Sequence, residues 1–188
     1  MDLGLYHAIN GLAGLAGWSD ALLKAMATDL PVAIGLIVAG AWFWGGVPID
    51  RAERQRLAVY AVTAALLGLA LAQDIGHVWF RERPYVHHAA TLLLSPSADP
   101  SFPSDHAVGA FGLAVPFLLA RRRIGWLLVG MATTLAVSRV AAGTHYPSDV
   151  LGGAGLGALS AVVVWRVRAR LEAPLAPCLL LARRLHLA

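Results

Sequence analysis

Three short stretches of this 188-residue chain hold most of the side chains that could do chemistry. Histidine can act as a nucleophile or carry a proton, a carboxylate can orient a histidine ring, and arginine binds oxyanions through forked hydrogen bonds. All three stretches stand at the ends of apolar segments, so they can converge on one site. They read "GHVWFRERPY" (76–85), "FPSDHAVG" (102–109) and "SRVAAGTHYPSD" (138–149).

The stretch at 102–109 has the pattern of a helix start. Ser104 or Asp105 is a natural N-cap, and Pro103 stands where a missing N–H costs little. The free amides and the dipole of that first turn attract an anion. An ordinary helix cap with an incidental His106 is the alternative explanation.

His145 and Asp149 in the last stretch are four residues apart. If the stretch is helical, both side chains lie on one face, and Asp149 could accept a hydrogen bond from one ring nitrogen of His145. That bond would fix the tautomer and leave the other nitrogen as a nucleophile or base. Arg139 precedes His145, and Gly143 gives a flexible bend between them. A His–Asp pair that only satisfies itself at a helix end is the alternative.

Arg81 and Arg83 come just before Pro84, which stops a helix. Two guanidinium groups at a membrane interface could bind phosphate. The alternative is an interfacial pair whose side chains only reach towards water.

The composition indicates an integral membrane protein. Hydrophobic residues make up 58% of the chain, only 14% are charged, and the mean hydropathy is +0.65. The pattern predicts an all-α, polytopic membrane helix bundle with five transmembrane helices, because the apolar runs approach the roughly 18–20 residues that cross a hydrocarbon core of about 30 Å. The five apolar segments are Leu30–Val47, Leu57–Phe80, Pro103–Ala120, Ile124–Val140 and Val150–Trp165.

Both ends of the chain are less apolar. The segment Leu5–Met26 predicts one or two amphipathic helices at the interface or a marginal sixth span. Residues 169–188 predict a basic amphipathic tail along the cytoplasmic membrane surface, interrupted by Pro174 and Pro177.

No internal repeat or linker divides the sequence, so a single domain over residues 1–188 is expected, with its core at about 30–168. Cys178 is the only cysteine, which excludes an intramolecular disulfide and a cysteine metal cluster. The net charge of +4 comes from short arginine clusters, which in a membrane protein report topology rather than nucleic-acid binding.

Those arginine clusters predict the orientation of the bundle. They follow the first, third and fifth apolar segments, and the positive-inside rule places that side in the cytoplasm. The loops at 81–102 and 141–149 then face the periplasm or the cell exterior, and the candidate residues lie in these loops or within a few residues of their ends. The clusters are Arg51, Arg54 and Arg56, then Arg121, Arg122 and Arg123, then Arg166, Arg168 and Arg170.

The order Arg-Pro, then Pro-Ser-x-His, then Ser-Arg-(x5)-His-(x3)-Asp resembles the signature of the type 2 phosphatidic acid phosphatase superfamily. The resemblance covers roughly residues 30–168. Its third motif is complete, as Ser138, Arg139, His145 and Asp149. The "PSDH" variant, the short chain and the "RxRP" form are most similar to the bacterial undecaprenyl-diphosphate phosphatases of the bacitracin-resistance type.

The resemblance implies a mechanism without a metal or another cofactor. In it, His145 attacks the terminal phosphorus, Asp149 orients its imidazole, and a phosphohistidine forms. His106 protonates the departing oxygen and then acts as base for water. The implied phosphate-binding residues are Arg83, Arg139, Ser104, Arg81, Asp105 and His77.

One position departs from the superfamily pattern. The first motif usually carries a lysine seven residues before the arginine of Arg-Pro, and here that position is Gly76. Arg81 is the first choice for the replacement charge, because it follows His77 by four residues and shares its face if the helix continues. His77 is the second choice.

The implied function is hydrolysis of undecaprenyl diphosphate to undecaprenyl phosphate at the bacterial inner membrane, which recycles the lipid carrier of peptidoglycan synthesis. The alternatives are a phosphatase of phosphatidylglycerol phosphate or phosphatidic acid, a non-catalytic lipid-phosphate transporter, and a structural bundle. The expected partners are a lipid phosphate and the bilayer, with no nucleic acid. Five glycines permit close helix contact within the chain or in a homodimer, and they are Gly112, Gly152, Gly153, Gly155 and Gly157.

Overall fold

The computed structural model of the chain describes residues 1–43 and 51–184. Within these ranges the fold is all helical, as the sequence predicts. The helices are α1 (Asp2–Asn10), α2 (Gly17–Phe43), α3 (Arg51–Val78), α4 (Pro84–His87), α5 (Asp105–Leu119), α6 (Arg123–Ala141) and α7 (Pro147–Arg184). The end of the predicted segment Leu30–Val47 and the last residues of the predicted tail lie outside the described residues.

Four of the helices are long and apolar enough to cross a membrane. They correspond to four of the five predicted spans, and the fifth is the shorter apolar helix α5. The predicted polytopic helical bundle is therefore confirmed. The four long spans are Gly17–Phe43, Arg51–Val78, Arg123–Ala141 and Pro147–Ala173.

The N-terminal region resolves the alternatives left open for Leu5–Met26. α1 has nine residues, which rise only about 14 Å and cannot span a bilayer. Gly14 lies between α1 and α2 with a positive φ of 83°, and its N–H donates to Asp20 Oδ1 at 2.8 Å. A short helix is thus present as predicted, its place at the interface stays a prediction, and no sixth span forms among the described residues. The first span begins at Gly17 rather than Leu30, because residues 17–29 continue into it.

α7 is longer than its predicted span. It runs for 38 residues without a break at Trp165, and it includes Pro174 and Pro177, which the sequence analysis expects to interrupt it. The interruption is therefore wrong as far as Arg184, whereas a surface position for residues 169–188 stays a prediction.

α5 is the central helix of the bundle and packs against α2, α3, α6 and α7. Two glycines make this closeness possible. A Cβ on Gly112 would lie 2.7 Å from Ala65 Cα on α3, and one on Gly157 of α7 would lie 2.4 Å from the carbonyl oxygen of Val108. The space that a side chain would need at Gly152 and Gly153 is likewise occupied by atoms of the same chain. Four of the five glycines considered for a dimer are therefore used inside one molecule.

The bundle has two chemically different ends. At one end Arg122 Nη2 pairs with Glu53 Oε1 at 2.5 Å, which joins the start of α3 to the turn between α5 and α6. The Tyr60 ring packs edge-on against Trp165 near the same end. The predicted arginine clusters thus share one end of the bundle. The opposite end gathers the end of α3, the start of α5, the end of α6 and the start of α7.

Candidate active site

A polar cavity of about 200 Å³ lies at that opposite end. Four helix ends surround it, because successive spans run antiparallel and bring the three sequence motifs together. Five of the predicted residues line it: Arg83, Asp105, His106, Arg139 and His145. Ser97, Asp99 and Pro100 complete the wall. No sequence signal marks these three residues as candidates, because they lie in an irregular loop without periodicity or a motif.

His145 lies in the turn between α6 and α7, and its side chain is 2% exposed. Its Nδ1 lies 2.9 Å from the carbonyl oxygen of Ser101. Because a carbonyl can only accept, Nδ1 carries the proton and donates it, and Nε2 is unprotonated. The Nε2 lone pair accepts a hydrogen bond from Arg83 Nη1 at 3.3 Å beside the cavity. The ring is therefore held in the tautomer that a nucleophile needs.

The surroundings also keep this ring neutral. Burial lowers the pKa of His145 below its ordinary value, and the positive charges of Arg83 and Arg139 lower that pKa further. The nearby carboxylate of Asp149 opposes this and raises the pKa, without reversing the net direction. A neutral imidazole with an unprotonated Nε2 beside the cavity is competent to attack phosphorus.

Asp149 does not bond directly to His145. Its Oδ2 lies 3.8 Å from His145 Nδ1. The predicted helical face does not form, because α7 begins at Pro147 and His145 precedes it. Asp149 Oδ2 instead accepts from Ser101 Oγ at 2.5 Å and from the Tyr146 N–H at 2.7 Å. The carboxylate thus fixes the residue whose carbonyl holds the ring. No sequence pattern marks Ser101, which stands in the same irregular loop.

The two cavity arginines are both mostly buried. Arg83 Nε donates to the carbonyl oxygen of Asp99 at 3.1 Å, and Nη1 donates to that of Thr144 at 3.2 Å. Arg139 carries a buried Nε that has no hydrogen-bond partner among the described residues. The hydrogen bonds of Arg83 go to neutral acceptors, although the carboxylates of Asp99 and Asp105 line the same cavity. The unpartnered donor on Arg139 leaves capacity for an oxyanion.

The start of α5 forms another wall of the cavity. His106 is exposed to it in the second residue of the helix. The carboxylate of Asp105 accepts a hydrogen bond from Gln73 Nε2 at 3.0 Å, and its negative charge makes it a poor phosphate ligand. Ser104 is the N-cap, but its buried Oγ has no hydrogen-bond partner among the residues that the structure describes, and the residue does not line the cavity. The geometry thus places His106 and Asp105 at the cavity and Ser104 behind it, and the roles of all three stay predictions.

Neither of the two residues proposed to replace the family lysine lines this cavity. α3 ends at Val78, so the helical face that would join His77 to Arg81 does not exist. Arg81 bonds to the carboxylates of Asp149 and Asp2. His77 Nδ1 bonds to the carbonyl oxygen of Gln73 at 2.7 Å, and its side chain lines a second cavity of about 310 Å³. The second cavity shares Asp99, Pro100 and Asp105 with the first, and a phosphate-binding role for His77 or Arg81 stays a prediction.

Gly76 itself is covered by the loop before α5. A Cβ at this position would lie 3.2 Å from Pro100 Cγ, closer than side chains normally pack. The loop occupies the space that a lysine would need. The fixed cations of the cavity are therefore Arg83 and Arg139. Within the described residues, no group of three His, Cys, Asp or Glu side chains is arranged to hold a metal ion.

An apolar bundle with a histidine, two arginines and a second histidine at its helix ends defines a class of membrane phosphotransfer proteins. Residues 57–173 match the PAP2 superfamily, and the chain belongs to it. It is a multi-pass bacterial membrane phosphatase, and its substrates are lipid phosphates.

The similarity extends over most of the chain. Undecaprenyl-diphosphatase BcrC of Bacillus subtilis (strain 168) is 34% identical over 152 residues, which are 81% of this chain and 76% of the relative. Putative undecaprenyl-diphosphatase YbjG of Escherichia coli (strain K12) is 36% identical over 170 residues, which are 88% and 83% of the two chains. The crystal structure of Aquifex aeolicus LpxE shares the fold, with a TM-score of 0.73 at 22% identity over 88% of this chain and 94% of that one.

Proposed function

We propose that this phosphatase hydrolyses undecaprenyl diphosphate to undecaprenyl phosphate and inorganic phosphate. The observation that carries the proposal is the buried, neutral His145, whose Nε2 is unprotonated and accepts a hydrogen bond from the phosphate-binding candidate Arg83 Nη1 at 3.3 Å. The names of the two relatives at about 35% identity support this lipid as the substrate.

The first chemical step forms a phosphohistidine, which is typical of the PAP2 superfamily. The Nε2 lone pair of His145 attacks the terminal phosphorus, and the bond from phosphorus to the bridging oxygen breaks. His106 donates a proton to that oxygen, so that the lipid leaves as undecaprenyl phosphate. Arg83 and Arg139 stabilise the charge on the equatorial oxygens in the transition state.

The second step releases phosphate. His106, now neutral, takes a proton from water as the water oxygen attacks phosphorus. The phosphorus–nitrogen bond breaks, and His145 regains its lone pair. The Ser101 carbonyl keeps the proton on Nδ1 throughout, and Asp149 holds Ser101. The two arginines supply the positive charge that a divalent ion supplies elsewhere, so no metal is required.

The proposed location is the bacterial inner membrane, with the cavity facing the periplasm or the cell exterior. Support comes from the arginine-rich end of the bundle, which the positive-inside rule assigns to the cytoplasm. An outward site meets the lipid diphosphate left by cell-wall polymerisation, so the enzyme recycles the carrier for peptidoglycan synthesis. The resemblance to phosphatases of the bacitracin-resistance type supports a role in resistance to that drug as part of the same proposal.

Phosphate release from purified protein tests the proposal. The panel contains undecaprenyl diphosphate, phosphatidylglycerol phosphate and phosphatidic acid, each assayed with and without excess EDTA. We expect the highest kcat/KM for undecaprenyl diphosphate, full activity in EDTA, and no turnover by His145→Ala.

Each alternative gives a different result. A preference for either glycerophospholipid assigns the second enzyme function. Phosphate release from none of the lipids, together with their specific binding, assigns the transporter. A loss of activity in EDTA that magnesium restores contradicts the metal-free mechanism.

A further inference from the structure

The contacts of Arg81 are those of an arginine in a structural ion pair and not those of a phosphate-binding arginine. Its Nη1 donates to Asp149 Oδ1 and to Ser148 Oγ, both at 2.6 Å, and its Nη2 donates to Asp2 Oδ2 at 2.8 Å. Its Cζ lies 4.1 Å from the centre of the Tyr146 ring. One guanidinium is thus shared by two carboxylates and an aromatic face.

Arg81 and Arg83 differ in the charges of the groups that contact them. Two carboxylates more than neutralise Arg81, so little positive potential remains there for a phosphate. Arg83 contacts the carbonyl oxygens of Asp99 and Thr144, which carry no formal charge. Arg83 also lines the cavity, whereas Arg81 does not. The two arginines of "RERP" therefore have different tasks.

The second carboxylate comes from the N-terminal helix. Asp2 Oδ1 accepts from the Ser148 N–H at 3.0 Å, and Oδ2 accepts from Ser148 Oγ at 2.5 Å. Partial burial raises the pKa of Asp2, but the hydrogen bonds from Ser148 and the contact with Arg81 outweigh it and leave that pKa lowered. Asp2 stays ionised and satisfies a backbone donor in the first turn of α7.

The C-terminal end of α1 contacts the other side of the turn between α6 and α7, which carries His145. Asn10 Nδ2 donates to the carbonyl oxygens of Ala141 at 2.8 Å and Thr91 at 2.9 Å, and Asn10 Oδ1 accepts from the Thr91 N–H at 3.0 Å. Tyr6 is fully buried, with its ring 5.6 Å from that of Tyr146. α1 therefore contacts the turn at its beginning, at its centre and at its end.

We propose that Arg81 is a positioning residue that acts together with Asp2. Arg81 fixes Asp149 through Oδ1, Asp149 fixes Ser101 through Oδ2, and the Ser101 carbonyl orients the His145 ring. In this way α1 becomes part of the support for the nucleophile. The proposal rests on the function proposed above and assigns to Arg81 a role other than phosphate binding.

Kinetics and phosphate binding, measured on the full chain in detergent, test this role. The variants are Arg81→Gln, Arg81→Lys, Asp2→Asn and Arg83→Gln. Arg123→Gln is the matched control, since Arg123 is exposed at the other end of the bundle. The measurements are kcat and KM with the best lipid substrate, the inhibition constant of inorganic phosphate, and the thermal shift that phosphate produces.

Arg81→Gln should lower kcat by about 10- to 100-fold, the scale of a small misplacement of a reacting group. KM and the phosphate inhibition constant should stay within about twofold, because the cavity cations are intact. Asp2→Asn should shift the same quantities in the same direction, and the double variant should lose less than the product of the two single losses. Arg83→Gln should raise the phosphate inhibition constant at least about tenfold, the scale of one strong charge-assisted hydrogen bond.

Three results would overturn the proposal. The first is a rise of the phosphate inhibition constant in Arg81→Gln equal to that in Arg83→Gln. The second is wild-type kcat in both Arg81→Gln and Asp2→Asn. The third is full recovery of kcat by Arg81→Lys, since a point charge cannot bridge both carboxylates in the forked geometry. If Arg81→Gln does not fold, Asp2→Asn decides alone.

The proposed function has a separate outcome in the same experiment. Wild-type protein that hydrolyses none of the lipids removes that function. The thermal shift still tests Arg81 in that case: we expect phosphate to stabilise Arg81→Gln as it does wild type, and to stabilise Arg83→Gln less. Loss of the phosphate shift in Arg81→Gln would contradict the positioning role whatever the substrate.

Discussion

Asp149 supports His145 from a distance of 3.8 Å between Oδ2 and Nδ1, and Ser101 makes the hydrogen bonds to both side chains. The ring nitrogen donates to a neutral carbonyl, and the carboxylate acts on that residue's hydroxyl. The negative charge of Asp149 remains close enough to stabilise an imidazole that becomes phosphorylated, while burial and the arginines keep the free ring neutral.

Ser101→Ala should therefore reduce turnover although Ser101 is not a reacting group. The substitution leaves the carbonyl in place and removes one buried hydrogen bond to Asp149, which costs about 1–3 kcal/mol. We expect kcat to fall by roughly 5- to 100-fold with little change in KM. Ser95→Ala, in an exposed position of the same loop, is the control. Equal kinetics for the two variants would show that the hydroxyl is dispensable.

His106→Ala should discriminate between substrates by their leaving groups. Undecaprenyl diphosphate expels a phosphate monoester, which needs little protonation, whereas phosphatidic acid expels an alcohol, which needs more. The variant should form phosphoenzyme from the diphosphate and accumulate it, because no base activates the water. Quenched-flow labelling with ³²P-labelled lipid detects this acid-labile adduct. His87→Ala, at an exposed position, should behave as wild type. Equal losses on both lipids would argue against His106 as the acid.

The pH dependence of kcat/KM should reflect the lowered pKa of His145. Its ordinary value is 6.5, and burial, reinforced by Arg83 and Arg139, lowers it despite Asp149. Only the neutral ring is a nucleophile. As the pH falls, activity therefore persists through 6.5 and declines only at lower pH. The substrate phosphate also titrates. Its titration is followed by ³¹P NMR so that its effect can be separated from the acid limb of the kcat/KM profile. An enzyme limb centred at 6.5 or above would contradict the lowered pKa.

Restoring the family lysine at Gly76 should not improve the enzyme. A side chain at this position starts with its Cβ 3.2 Å from Pro100 Cγ, so Gly76→Lys and Gly76→Ala should both displace the loop that carries Asp99 and Ser101. We expect lower kcat in both variants, and hydrogen exchange should show a loosened loop. Gly35→Ala is the control, because no atom lies near its Cβ position. A gain in activity with Gly76→Lys would mean that the loop moves aside and that a third cation in the cavity assists the reaction.

The orientation of the bundle can be measured by thiol labelling in intact cells. In a Cys178→Ser background, Ser95→Cys should react with a membrane-impermeant maleimide, because its loop covers the proposed outward cavity. Arg123→Cys should react only after the membrane is permeabilised. Both positions are exposed in the structure, so accessibility to the protein surface does not bias the comparison. The reverse pattern would put the cavity in the cytoplasm.

Sequence periodicity and charge were enough to predict the bundle and the meeting of its three motifs. Alternating spans place the ends of α3 and α6 beside the starts of α5 and α7, so Arg83, His106, Arg139 and His145 converge without further information. The grouping of arginine clusters at the other end follows from the same alternation.

The missed features depend on contacts between irregular segments. Arg81 was assigned to phosphate on the assumption that α3 continues past Phe80, but the helix ends at Val78. Its true partner Asp2 lies 79 residues away, in a helix too short to stand out from the sequence. Ser101 precedes the recognisable "PSDH" motif and does not lie in a helix. Hydrogen bonds of this kind leave no periodic signal, and only the folded chain shows them.

The short length of α5 has a consequence for the lipids around the protein. Its 15 residues rise about 22 Å, whereas the hydrocarbon core is about 30 Å thick. The helices α2, α3, α6 and α7 are all longer than α5 and pack around it, so α5 is surrounded by protein rather than by lipid. Its polar start can then meet the cavity without thinning of the bilayer to match its length. We therefore expect turnover in vesicles to depend on the lipid headgroup rather than on a match between acyl-chain length and α5.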